Sequence, residues 1–479
     1  MNRNRLVLGL LGFLLLAHDE VSGGSLKIEK DGMARINGRR AFLLGLYENP
    51  KEDEALRQVA SAGFNLVRSG AEKKDLDRLQ QSGMGAWINT GMNIDFSRSA
   101  EERKEKLRAL LRDFSGHPAL LVWEVPDEAL WNSWQDPWLY RVRKEMTFFQ
   151  KAISSLPDAE RRKEMETECQ AIADLYRQAE FAAGEQRADA LWKKLGQSPP
   201  EPAQYVSAAP RRAAEMSRGF RQGYEFLKSL DADHPVWMNH APRNQIPQLA
   251  AFNRAADIVG CDIYPAPLSR FLRHSDLTDQ SLSSVGAYTV RMARAAPGKP
   301  VWMVLQGFGW GDIKTESSPE IRRELHRPTR DETRFMAYDA IVRGARGILY
   351  WGSFSAEKDS VLWRELLDTV GEIASRQEVW SAPDAPIRWS AGFEETLWSV
   401  DQTVQVLPKQ VGQETWLLVV NESPDPLVGK ISGLKSLDGK TFVEKAGGLR
   451  LKVEGGGLRI PMRGYGVRIL QPDQTTEGR

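Results

Sequence analysis

Cysteine is nearly missing from this chain, with two in 479 residues, Cys169 and Cys261. A disulfide framework is therefore excluded as the source of stability, and core size must supply it instead. Cys261 sits inside an apolar run and reads as a small buried hydrophobe. Neither charge sign is in excess, Lys+Arg 65 against Asp+Glu 64. The basic stripe of a nucleic-acid binder is thus lacking. Beyond residue 17 no apolar run is long enough to span a bilayer. The chain has no His-x-x-x-His pair or cysteine cluster of the kind that holds a metal, and no Gly-rich phosphate loop. A G-x-S-x-G nucleophile elbow is missing too. No cofactor and no metal are expected.

Tryptophan, by contrast, is plentiful, at fifteen residues, several of them near the ends of apolar runs. Aromatic faces there suit flat apolar ligand surfaces, sugar rings included, while the remainder serve as core filler. The N-terminus reads as a secretory signal over residues 1–24. Arg3 and Arg5 form the charged segment, residues 6–17 the apolar one, and Val21-Ser22-Gly23 the small residues for cleavage. No cysteine follows that would carry a lipid anchor. A secreted or periplasmic bacterial protein is expected.

The informative stretch is 117–131, HPALLVWEVPDEALW. Residues 119–125 are almost unbroken apolar sequence, as in a parallel strand buried on both faces. Pro126 ends its hydrogen-bond ladder, and Asp127 and Glu128 follow directly. Carboxylates at the C-terminal end of a barrel strand are positioned for chemistry, although adjacent acids also cap helices. Around this stretch a short apolar strand and an amphipathic helix alternate repeatedly. Strands are expected at 41–47, 65–69, 85–89, 119–125, 234–240, 257–264, 300–306 and 347–351. Helices are expected at 52–61, 73–82, 100–114, 213–230 and 330–343. Eight such steps without hairpin signals predict a TIM (β/α)8 barrel over 25–380. A hairpin at 26–36 leads in, and a charged helical insertion at about 134–212 follows the fourth strand. Lying in that loop, the insertion walls the barrel mouth. From 381 to 473 the pattern becomes short β-rich runs at 397–406, 415–420, 427–431 and 467–470, separated by Gly-rich turns, which predicts a small antiparallel β-sandwich before a tail at 474–479.

The residues at the strand ends are Tyr47, Arg68, Asn89, Asp127, Glu128, Asn239, His240, Asp262, Tyr264, Gln306, Trp310 and Trp351. If the barrel forms, they converge. Carboxyls kept protonated by apolar walls, hydrogen bonders for hydroxyls and stacking faces for rings are the equipment of glycosidic-bond hydrolysis. Glu128, Asp127 and Asp262 are the candidate catalytic groups, and the other nine the candidate substrate contacts.

The fourth strand, the seventh strand and the barrel rhythm resemble the clan of retaining glycoside hydrolases that includes β-galactosidases, cellulases and mannanases. In that clan the fourth strand ends Trp-x-x-x-Asn-Glu, and the Glu is the acid/base. Here Trp123-Glu-Val-Pro-Asp127-Glu128 keeps the spacing with Asp for Asn. The lead-in NGRRAFLLGLY, with Asn37 and Gly38, is similar as well. The resemblance implies a carbohydrate substrate and Glu128 as general acid. It departs on the seventh strand, where Pro300-Val-Trp-Met-Val-Leu-Gln306 puts an amide in the slot of the clan's nucleophilic Glu. An amide cannot attack an anomeric carbon. Three readings stay open: another carboxylate, Asp262 foremost, takes over; a substrate acetamido group attacks, as in hexosaminidases with adjacent Asp-Glu; or the barrel binds carbohydrate without cleaving it.

Overall fold

A computed structural model describes residues 24–268, 276–314, 317–394, 403–444 and 447–474. All of the expected signal segment but Gly24 lies outside these residues, as do 397–402 of one expected strand and all but the first residue of the tail. Eight parallel strands close into a barrel in chain order. They are Leu43–Leu46, Leu66–Ser69, Gly85–Asn89, Leu120–Glu124, Val236–His240, Ile258–Asp262, Val301–Gln306 and Gly347–Trp351, the first to eighth strands below. Residues 39–41 are not part of the first strand. Arg39–Ala41 instead completes a three-stranded antiparallel sheet with Leu26–Ile28 and Ala34–Ile36. The turn at Asn37 and Gly38 has positive φ at both residues, as a tight hairpin requires. Leu26 and Ala34 belong to the same buried cluster as the barrel interior, so this sheet plugs the barrel's N-terminal end.

The strand period of two sorts the side chains. Leu43, Leu66, Trp87, Val122, Trp237, Ile258, Trp302, Val304 and Leu349 fill the interior. Leu44, Val67, Ile88, Trp123, Met238, Val259, Met303 and Ile348 pack outward against the helices. Three tryptophans therefore occupy the barrel's own core, and Gly260 makes room for two of them. A Cβ there would sit 2.0 Å from the Trp302 carbonyl oxygen and 2.4 Å from the Trp237 ring.

Helices Asp53–Ala62, Lys73–Gln81, Ala100–Phe114, Ala209–Leu230, Ile246–Phe252, Ser284–Ala295, Arg330–Val342 and Val361–Ala374 surround the barrel. Ile246–Phe252, Ser284–Ala295 and Val361–Ala374 are not among the sequence expectations. Pro242 before the first, Pro247 at its start and the small residues within the second blur the helical period. Between the fourth strand and its helix lie Ala129–Leu139, a π-helical turn Tyr140–Lys144, Glu145–Ser154, Ala159–Arg177 and Phe181–Leu195. This insertion has its own core of Phe149, Ile153, Met165, Cys169, Ile172, Leu191 and Trp192. The fully buried Arg141 pins its root, donating to both oxygens of Glu145 at 2.9 Å and to Asp189 at 3.2 Å.

The C-terminal region is a β-sandwich. One antiparallel sheet runs Val404–Val411, Glu414–Asn421, Val467–Pro472, Thr441–Glu444 and Leu449–Lys452 in spatial order. The other runs Ser390–Phe393, Leu427–Ser432 and Leu458–Met462. Leu418, Val420, Val467 and Ile469 join the apolar layer outside the barrel, which fuses the two cores. Arg343 grips Glu422 across this junction with two 2.6 Å hydrogen bonds.

Candidate active site

Continuing the period of two toward the C-terminal strand ends, two or four residues on from the interior layer, gives the floor of the mouth. These residues are Tyr47, Arg68, Asn89, Glu124, Asn239, Asp262, Gln306 and Trp351. Glu124 was not singled out from the sequence, because it lies inside an apolar run. The period-two count from Val122 is the signal that finds it. It has no solvent exposure. Asn89 donates to its Oε2 at 2.8 Å, the Tyr47 hydroxyl lies 3.4 Å from Oε1, and Arg68 Nε is 3.5 Å from Oε2. Burial, and then the nearby Asp127, push its carboxyl up to about 7, although Arg68 and Asn89 pull the other way.

Asp127 and Glu128 lie just past the ladder. The backbone N–H of Glu128 still donates to the Asn239 carbonyl, at 3.3 Å. Glu128 is the residue before helix Ala129–Leu139, but its side chain makes no capping hydrogen bond. Its φ of 51° puts a non-glycine residue in the left-handed region, a strain that calls for a reason. The side chain instead meets Asp262, and the two carboxyls share a hydrogen bond. Burial raises both groups, and the charge of each nearby carboxylate, Glu128 then Asp127, raises Asp262 further. Asp262 Oδ1 is buried without a partner. Asp127 accepts from Asn239 Nδ2 at 2.9 Å and is also raised by burial. Four carboxyls thus gather at this end of the barrel, with Glu124 and Asp127 close to the Arg68 guanidinium, and burial favours their protonated forms.

The rim is aromatic. Tyr264 stacks on Trp351 with ring centroids 5.5 Å apart and planes at 20°. Trp310 stands edge-on to Tyr264 and donates its indole N–H to the Tyr264 carbonyl at 3.1 Å. Phe354, 59% exposed, meets Trp351 edge to face.

Two expected substrate contacts are not free to meet a substrate. His240 is one residue out of phase with Asn239 and faces outward. Its Nε2 is 2.8 Å from Asn253 Oδ1, and its ring packs on Phe252. Burial pushes it down to about 4, so it is a neutral core imidazole. Gln306 does face the interior, but its amide is already committed. Nε2 donates to the carbonyls of Ala266 at 2.6 Å and Phe308 at 3.0 Å, and Oε1 accepts from the Ala266 N–H at 3.0 Å. It fixes the loop after the sixth strand and has no free donor for a sugar hydroxyl. Among the described residues no cluster of three or more His, Cys, Asp or Glu is arranged to hold a metal ion.

The fold is a TIM barrel carrying a C-terminal β-sandwich. Solved structures share it. A protein titled a glycoside hydrolase matches with a TM-score of 0.53 and 12% identity, over 96% of this chain and 99% of its own. A glycoside hydrolase family 5 protein from Bacteroides vulgatus gives 0.52 and 12%, covering 94% of this chain and 93% of its own. Gan42B, a GH42 β-galactosidase, gives 0.50 and 10%, covering 90% and 98%. At such identities the likeness establishes the fold. No family model and no curated protein matches the chain.

Proposed function

We propose that this protein is an exported glycosidase that hydrolyses a carbohydrate through the Glu128–Asp262 carboxyl pair, by a mechanism altered from the usual retaining scheme. The observation that carries this reading is the pair itself. Glu128, just past the fourth strand, and Asp262, ending the sixth, meet side chain to side chain beside an aromatic rim, and burial raises both carboxyls. One member can protonate the leaving oxygen. The other, left ionised, serves the anomeric carbon directly or through a water. Glu128 is the half-buried member nearer solvent and carries the proton to substrate, while the deeper Asp262 resupplies it. Paired carboxyls in retaining enzymes stand about 5 Å apart, so a bound ring must part these two. Glu128, outside the strand ladder, is the member free to move. Asp127, held by Asn239, and Glu124, held by Arg68, set the charge around them. Tyr264, Trp310 and Trp351 offer faces to the ring.

Replacing Asp262 by Asn tests the pair. Turnover on a cleaved glycoside is expected to fall about a hundredfold or more, with the binding of the uncleaved sugar retained. Undiminished turnover in that variant would exclude the pair as the catalytic unit.

A second reading, a carbohydrate-binding protein without activity, is favoured by Gln306. The seventh strand offers no carboxylate opposite Glu128, and the amide there serves a structural role. A wild type that binds glycans but cleaves none would decide for it.

A further inference from the structure

We propose that the groove leading from Asp127 along the helical insertion binds negatively charged sugar units, so that the glycan served by this mouth is an acidic one, carboxylated or sulfated. This deepens the glycosidase reading and rests on it for the location of the cleaved bond. A cavity of about 350 Å³ opens at Pro126 and Asp127 and runs past Asn132 to Gln204 and Arg212. Gln204 and Arg212 also line a second cavity of about 400 Å³, which contains Arg98, Arg211 and Tyr205. The two make one channel that starts at the carboxyl cluster and ends among arginines.

Several features there point to an anion. Arg98 is exposed and has no ion pair among the described residues. Arg212 is half-buried, and its Nη2 donates only to neutral carbonyls, those of Ser133 at 2.6 Å and Tyr205 at 3.3 Å. Burial and the charge of Arg98 both act against its protonated form, although Asp136 and Glu185 favour it. Arg211 has a loose, exposed pairing with Glu215 at 3.8 Å. Helix Ala209–Leu230 begins at this spot with no acidic residue in its first turn and no side-chain cap. Its opening turn carries Arg211 and Arg212, where the positive end of the helix dipole disfavours cations. An anion in the channel would relieve both repulsions. Tyr205, 37% exposed, supplies an aromatic face in the same cavity. A ring stacked on tyrosine with its acid group on arginine is the recognition this chemistry suits.

The test is calorimetric binding by the full chain to acidic glycans paired with neutral counterparts: polygalacturonate against its methyl ester, and chondroitin sulfate and a carrageenan against their desulfated forms. At least one acidic chain is expected to bind tenfold or more tightly than its neutral partner. The double variant Arg98→Gln/Arg211→Gln should lose most of that difference. Arg39→Gln, an exposed arginine at the opposite end of the barrel, should keep it. Equal affinity for every acidic and neutral pair, an unaffected double variant, or equally tight binding of a DNA oligonucleotide would overturn the proposal. Charge-selective binding without cleavage would uphold the groove while refuting the hydrolytic reading, and cleavage of a neutral glycan without charge preference would do the reverse.

Discussion

Glu124 shows how far a single buried carboxyl shapes this site. Its folded pKa of about 7 stands above the ordinary 4.5. Its contribution to stability is therefore full below about pH 4.5 and is lost as the pH rises through 7. The loss is on the order of 3 kcal/mol, at 1.36 kcal/mol per pKa unit. Glu124→Gln removes the titration, so the variant should gain melting temperature relative to wild type between pH 5 and pH 8. A parallel pH dependence of the two proteins in thermal melts would contradict the assignment. Gln306 gives a second expectation at this scale. A glutamate there has at most one proton to donate where the amide donates to both the Ala266 and Phe308 carbonyls, so Gln306→Glu should destabilise the protein by about 1 to 3 kcal/mol. It should not raise hydrolysis. Denaturant unfolding checks the first part, and a glycosyl-enzyme intermediate trapped on residue 306 would refute the second.

Strands are the element that organises the mouth, and their period of two decides which residues enter it. Tyr47, Arg68, Asn89, Asn239 and Asp262 could be picked from the sequence because each is a polar residue ending an apolar run. The same cue included His240 wrongly, since it lies one residue out of phase and turns to Asn253. It omitted Glu124, whose apolar neighbours conceal it. The meeting of Glu128 with Asp262 was not legible, because it depends on a loop that leaves the strand at positive φ. Gln306 was readable as an inward side chain, but not as one spoken for by backbone of the loop after the neighbouring sixth strand. Gly260 tests the strand layer itself. Gly260→Ala should cost about 1 to 3 kcal/mol by forcing a methyl against Trp237 and the Trp302 carbonyl. An unchanged unfolding midpoint would show that the tryptophan layer is looser than described.

At the scale of the whole molecule, the sandwich and the barrel share one apolar layer and a buried ionic junction. The barrel, the insertion and the sandwich were legible from rhythm and turn chemistry. Their fusion was not, since Arg343 and Glu422 lie far apart in sequence. Asp339, fully buried, shares a hydrogen bond with Glu422 and takes another from the Gly286 N–H at 2.7 Å. Removing Glu422 leaves Arg343 without its carboxylate and Asp339 without its partner. Glu422→Ala should therefore cost about 3 to 5 kcal/mol, and in calorimetry it should split a single unfolding transition into two. One unshifted transition would mean that the junction holds nothing together.

The account turns on whether the mouth cleaves sugars with Glu128. The direct measurement is a screen of purified wild type and Glu128→Gln on chromogenic glycosides and polysaccharides, acidic ones included, following released sugar and bound glycan together. The wild type is expected to hydrolyse at least one substrate. The variant should bind it with similar affinity and turn it over about a hundred to ten thousand times more slowly. Equal turnover by the two proteins, or a wild type inert toward every glycan it binds, would contradict the account.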